Sequence, residues 1–191
     1  MTRASELLTR IRRDHLAAVE GVLELHGQTL SALADLVAAT FRAQGRVFFC
    51  GNGGSACDAM HIAGEFVGRF VDDRAALPAI ALSADSGILT AVGNDYSFED
   101  IYARQIEALG HKGDVLIALS TSGRSPNILK ALSVAKARGL HTALFTGEKG
   151  KESRSADLVI AVPSVITAHI QEAHMVMLHA LATLVEAAPA E

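Results

Sequence analysis

Apolar positions along this chain keep one rhythm up to residue 45 and another beyond it. Leu7, Leu8, Ile11, His15, Leu16, Val19 and Val22 recur every three or four residues, as one stripe of an amphipathic helix does. Leu30, Leu33, Leu36, Val37 and Phe41 repeat the pattern. The spacing predicts helices over residues 3–25 and 28–44, separated at His26–Gly27 and stopped at Gly45. After that, short apolar runs alternate with longer helical stretches. The runs are Val47–Cys50, Ala79–Leu82, Val115–Leu119, Thr142–Phe145 and Leu158–Val162. They are continuous rather than alternating, as strands buried on both faces are. Helical spacing returns near 56–69, 85–93, 98–109, 126–138 and 168–187. Strand–helix–strand alternation predicts right-handed crossovers and a five-stranded parallel sheet flanked by helices. The expected organisation is one α/β domain over 1–191, with an N-terminal helical pair as an arm (1–45) on an α/β core (46–191).

Composition narrows this further. Half of the 191 residues are apolar and a fifth are charged, which excludes disorder. Trp is absent and only two Tyr and seven Phe occur, so Ala, Leu, Val and Ile must build the core. No apolar run approaches the ~20 residues of a membrane helix. The opening MTRASELLTRIRRD has no apolar signal core, so a cytoplasmic chain is expected. Net charge is −4 with acids and bases interspersed. Arg10, Arg12 and Arg13 form the basic cluster of the first helix, a solvated face rather than the basic stripe of a nucleic-acid binder. Cys50 and Cys57 lie seven apart without CxxC spacing, which suits a reduced compartment better than a disulfide.

Two loops carry unusual chemistry at the edge where such sheets bind ligands, the carboxyl ends of the strands. Gly51-Asn52-Gly53-Gly54-Ser55 follows the first strand, and its glycines let the backbone approach a ligand closely. Ser55, followed by Asp58, suits a helix N-terminus. Ser120-Thr121-Ser122-Gly123-Arg124-Ser125-Pro126 follows the third strand. There Ser125 is placed as an N-cap and Pro126 at the first helical position. Free N–H groups and clustered hydroxyls favour a phosphate. Neither loop has the Walker or GxGxxG form, so a small phosphorylated ligand is expected rather than a nucleotide.

Polar groups on apolar helices form the second candidate. His61 and Glu65 stand four apart on the helix after the first loop, about 6 Å along its axis. The last helix carries Gln171, Glu172, His174 and His179 among Ile170, Val176, Met177, Leu178 and Leu181. Burying such groups unpaired is costly. Two His, a Glu and a Gln suit acid–base work and a metal site equally. His174 and Glu172 are assigned only to helix surface or network positions.

Four blocks make the sequence recognisable: CGNGGSACDAMHIAGEFVGRF, AVGNDYSFEDIYARQ, GDVLIALSTSGRSPNIL and IQEAHMVMLH. Together they resemble the phosphoheptose isomerases, the sedoheptulose 7-phosphate isomerases of the sugar-isomerase (SIS) family, from about residue 46 to 185. The resemblance implies a flavodoxin-like sheet and a homotetramer with active sites where subunits meet. It implies a phosphate cradle at Ser120, Thr121, Ser122 and Ser125. Asn52, Gly53, Gly54 and Ser55 match the sugar-binding loop, with Asn94 and Asp95 a further substrate contact. His61, Glu65, Gln171 and His179 match the zinc-binding and catalytic set, in which Glu65 and His179 act on the substrate and Gln171 also touches it. One zinc per subunit is implied. The implied reaction converts sedoheptulose 7-phosphate to D-glycero-D-manno-heptose 7-phosphate, the first step of nucleotide-activated heptose biosynthesis, as for lipopolysaccharide. Many relatives carry Arg or Lys where this chain has His169. A non-catalytic SIS protein of the DnaA initiator-associating type shares the same blocks, but lacks acid–base residues where Glu65 and His179 stand.

Overall fold

The computed structural model describes residues 2–188. Its elements in chain order are α1 (Arg3–Arg42), β1 (Val47–Gly51), α2 (Gly54–Val67), β2 (Ala79–Ala81), α3 (Ser86–Asp95), α4 (Ala103–Leu109), β3 (Val115–Leu119), α5 (Pro126–Ala137), β4 (His141–Gly147), β5 (Leu158–Val162) and α6 (Thr167–Glu186). All strand pairings are parallel, in the order β2-β1-β3-β4-β5. That is the flavodoxin-like order, with its switch point between β1 and β3.

Both faces of the sheet are covered, which explains the unbroken apolar runs. Along β1, Val47 and Phe49 pack into one core with residues of α1, α2 and α6. Phe48 and Cys50 point the other way, towards α4 and α5. The five strands were all legible, with ends shifted by a few residues at most. No helix among the described residues is long and apolar enough to cross a membrane.

The N-terminal pair is a correction. Instead of two helices broken at His26–Gly27, the structure has one helix from Arg3 to Arg42. A glycine inside a helix costs only about 1 kcal/mol, and packing outweighs it. Val22, Leu30, Leu33 and Val37, on both sides of the expected break, are buried in one core with α6 and β5. His26 is itself tied down: the Ala161 N–H of β5 donates to its Nε2 at 3.2 Å. The stretch 98–109 is divided in turn, into a 3-10 turn at Phe98–Asp100 and α4.

Candidate active site

The two loops leave adjacent strands, because Gly51 pairs with Leu119 across β1 and β3. Asn52 joins them. Its Nδ2 donates to Asn127 Oδ1 at 2.9 Å, and Asn127 Nδ2 donates back to Asn52 Oδ1 at 2.8 Å. Asn127 is buried in the first turn of α5. Sequence reasoning missed it, since a polar residue after a helix-opening proline gives no sign of a partner 75 positions away.

The first loop departs from expectation in one respect. Gly53, not Ser55, is the N-cap of α2, at φ +57°. Ser55 is buried inside the first turn, and the helix end has no side-chain cap. Gln171 of α6 covers it: a Cβ on Gly54 would lie 2.6 Å from Gln171 Nε2. In the second loop Ser125 is the N-cap and Pro126 opens α5, as expected, with no side-chain cap bond. Gly123 turns at φ +66°, and a Cβ there would come within 2.7 Å of Gly150 Cα. Ser120 Oγ and Ser125 Oγ lie 3.2 Å apart, and Ser122 Oγ accepts the Arg124 N–H at 3.2 Å. Thr121 and Ser122 line a cavity of about 60 Å³ with Lys149 and Ser164. Lys149 was not foreseen, because it comes from the turn after β4.

The helical residues meet one level further along. His61 Nε2 lies 3.3 Å from Glu65 Oε1 and 2.9 Å from His179 Nε2. Phe70 stacks on the other side of His179, with ring centres 5.3 Å apart. His61 Nε2 thus touches both Glu65, one turn along α2, and His179 of α6. Gln171 stays with the loop, about two turns away. Asp58, one turn before His61, has a buried Oδ2 without a hydrogen-bond partner. Burial raises its carboxyl pKa, and the neighbouring His61 pulls it back down. Behind Glu65, Arg74 donates to the carbonyls of Glu65 and Phe66 at 2.8 Å each. Arg74 is held by Glu186 at 3.0 Å. This pair closes the C-terminal end of α2, where a cation offsets the helix dipole.

Asn94 and Asp95 stand apart. Asn94 Nδ2 donates to Asp95 Oδ1 at 2.8 Å, and both are exposed at the end of α3. His174 is a core residue: its Nε2 donates to the Thr146 carbonyl at 3.1 Å. Glu172 accepts from His15 and His169.

A family model for the SIS domain matches residues 12–147. A phosphoheptose isomerase of Burkholderia pseudomallei (strain 1710b) is 54% identical over 159 residues, covering 83% of this chain and 81% of that protein. The chain belongs to the phosphoheptose isomerase family of SIS-domain proteins. A phosphoheptose isomerase of Roseiflexus sp. (strain RS-1) is 44% identical and covers 97% of both chains. The solved phosphoheptose isomerase of Neisseria gonorrhoeae superposes with a TM-score of 0.89 at 33% identity, over 97% of this chain and all of that one. That match covers nearly the whole of this chain, α1 included.

Proposed function

We propose that the chain is an aldose–ketose isomerase that converts sedoheptulose 7-phosphate to D-glycero-D-manno-heptose 7-phosphate. The observation that carries this is the meeting of His61, Glu65 and His179, 118 positions apart at the extremes, in a chain 54% identical to a phosphoheptose isomerase. Glu65 takes the proton from C1 of the open-chain ketose while His179 delivers one to the C2 oxygen, giving an enediol. Glu65 then returns its proton to C2, and the C1 hydroxyl loses its proton to His179, leaving the aldehyde. The phosphate is held at Ser120, Thr121, Ser122 and Ser125, against the uncapped start of α5. The Asn52–Asn127 pair keeps that loop in register with Gly53, Gly54 and Ser55, where Gln171 helps to hold the sugar.

His61, Glu65 and His179 offer two imidazoles and a carboxylate, a donor set that fits a divalent cation, with His61 Nε2 within 3.3 Å of Glu65 Oε1 and 2.9 Å of His179 Nε2. Zinc held there would supply Lewis acidity towards the sugar's carbonyl and hydroxyl oxygens. Gln171 would join only by swinging away from Gly54.

Reach supports a site shared between subunits, as in the expected homotetramer. Glu65 lies eleven residues along α2 from Gly54, which is about 16 Å of helix rise. An extended seven-carbon sugar phosphate spans only about 10 Å at ordinary bond lengths. The phosphate loop of one subunit and the Glu65 cluster of another satisfy both ends. Exposed α3, with Asn94 and Asp95, is free to face such a neighbour.

The test is incubation with sedoheptulose 7-phosphate and detection of the aldose product. No turnover, with the same protein binding the sugar phosphate, would move the chain to the non-catalytic SIS reading.

A further inference from the structure

A second cluster of metal-ligating side chains lies away from His61 and His179. His15 of α1 approaches Glu172 of α6, with Nδ1 2.7 Å from Oε2. His169, one turn before Glu172, brings its own Nδ1 to the same oxygen at 3.1 Å. The three donor atoms lie within 4.8 Å of one another. His169 is almost wholly buried, at 8% side-chain exposure, while His15 and Glu172 are partly open. Beside them is a cavity of about 590 Å³, which Arg10 and Asp14 also line.

We propose that His15, His169 and Glu172 form a binding site for a late first-row divalent cation, zinc by preference, that clamps the N-terminal half of α1 to α6. Two imidazoles and a carboxylate form a donor set that suits zinc. Tetrahedral ligands at Zn–N and Zn–O lengths of about 2.0–2.2 Å stand about 3.3 Å apart. The observed separations of 2.7 and 3.1 Å therefore need only small outward shifts. Rotamer changes at His15 and Glu172 supply them, since both are half-exposed. The fourth position opens on the cavity and takes water. The clamp has mechanical purpose: Leu7, Leu8, Ile11 and Leu16 leave this half of α1 largely exposed. His15 is one of its few long-range polar ties.

The experiment separates this site from the Glu65 cluster. Chelator-treated wild type, the double variant His61→Ala with His179→Ala, and each of these with His15→Ala added, are titrated with zinc sulfate by calorimetry and checked by elemental analysis. The double variant is expected to keep one zinc per chain and to lose it when His15→Ala is added. Zinc should also raise the Tm of the double variant by roughly 5–10 °C at a hundredfold excess over Kd. It should slow tryptic cleavage at Arg10, Arg12 and Arg13. His15→Ala should abolish both effects. Zinc that disappears entirely in the double variant overturns the proposal and leaves the Glu65 cluster as the metal site. One zinc that survives the double variant but not His15→Ala upholds the proposal, and the wild-type count, two zinc ions or one, reports separately on the Glu65 cluster. His15→Gln is a second variant that keeps side-chain bulk and hydrogen bonding. If it retains zinc uptake in the double-variant background, the proposal also falls.

Discussion

A residue's role here depends on whether its polar atoms face a partner, solvent or neither. Glu65 Oε1 faces His61, and its own backbone carbonyl is held by Arg74, so the carboxylate is fixed without being consumed in a buried pair. Glu65→Gln keeps that shape and removes the basic lone pair. Turnover should fall at least ~100-fold, in the range expected for a general base. A kcat above a tenth of wild type would reassign the base. His174 is the opposite case. Burial pushes its pKa down to about 4, although the bond to Thr146 works to raise it. Nε2 carries the proton, and Nδ1 has no partner. Unfolded, the same group titrates near its ordinary 6.5. Between these values the unfolded chain binds a proton that the fold refuses. Stability is therefore whole above pH 6.5 and falls as the pH drops towards 4. His174→Gln retains a donor to Thr146 and removes the titration. Between pH 7.5 and 5, urea denaturation should show wild type losing about 2 kcal/mol more than the variant. An equal loss in both would contradict the assignment.

Elements are where local rules were overruled or obeyed for visible reasons. In α1, Gly27 has open space where a Cβ would go, whereas at Gly21 a Cβ would lie 2.8 Å from Pro163 Cγ. Gly27→Ala should therefore raise stability by about 0.5–1 kcal/mol, and Gly21→Ala should gain less or lose outright. Thermal melts of the two variants check the sign. The 120–125 loop obeys its pattern, with hydroxyls gathered at a helix start that no side chain caps. Ser122→Ala or Thr121→Ala should weaken sedoheptulose 7-phosphate binding by about 10- to 150-fold, the worth of one charge-assisted hydrogen bond. Unphosphorylated sedoheptulose should be affected little. Equal weakening of both ligands would mean that the loop holds the sugar chain instead.

At the scale of the whole molecule, one copy leaves business unfinished. Leu8 and Leu25 on α1 are each 66% exposed, and no residue of α3 is buried. A neighbouring chain would cover exposed apolar side chains of this kind. Together with the reach of the substrate, they predict sites completed by a neighbour. Sedimentation at micromolar concentration should give a tetramer, and activity should fall with dilution into monomer. A fully active monomer would show that loop and carboxylate serve one substrate within a single chain.

The sequence by itself determined most of the frame. Continuous apolar runs between helical stretches specify buried parallel strands, because period and length are local properties that no partner needs to supply. The phosphate loop was legible for the same reason: Ser125 and Pro126 announce a helix start wherever it packs. The pairing of His61 with Glu65 followed from helical spacing. Only the tertiary structure decided the rest. Whether Gly27 broke α1 depended on Val22 and Leu30 sharing a core with α6, which is a long-range energy set against a local one. Gln171 and His179 share a helix and a block of sequence. Yet α2 meets one at Gly54 and the other at His61, because two packed helices distribute contacts along their length. Asn127, Lys149 and His15 gained partners from elements that arrive from elsewhere in the chain. His15 lay in the stripe of the first helix and Asn127 in a recognised block, yet nothing local named the residue that each would meet.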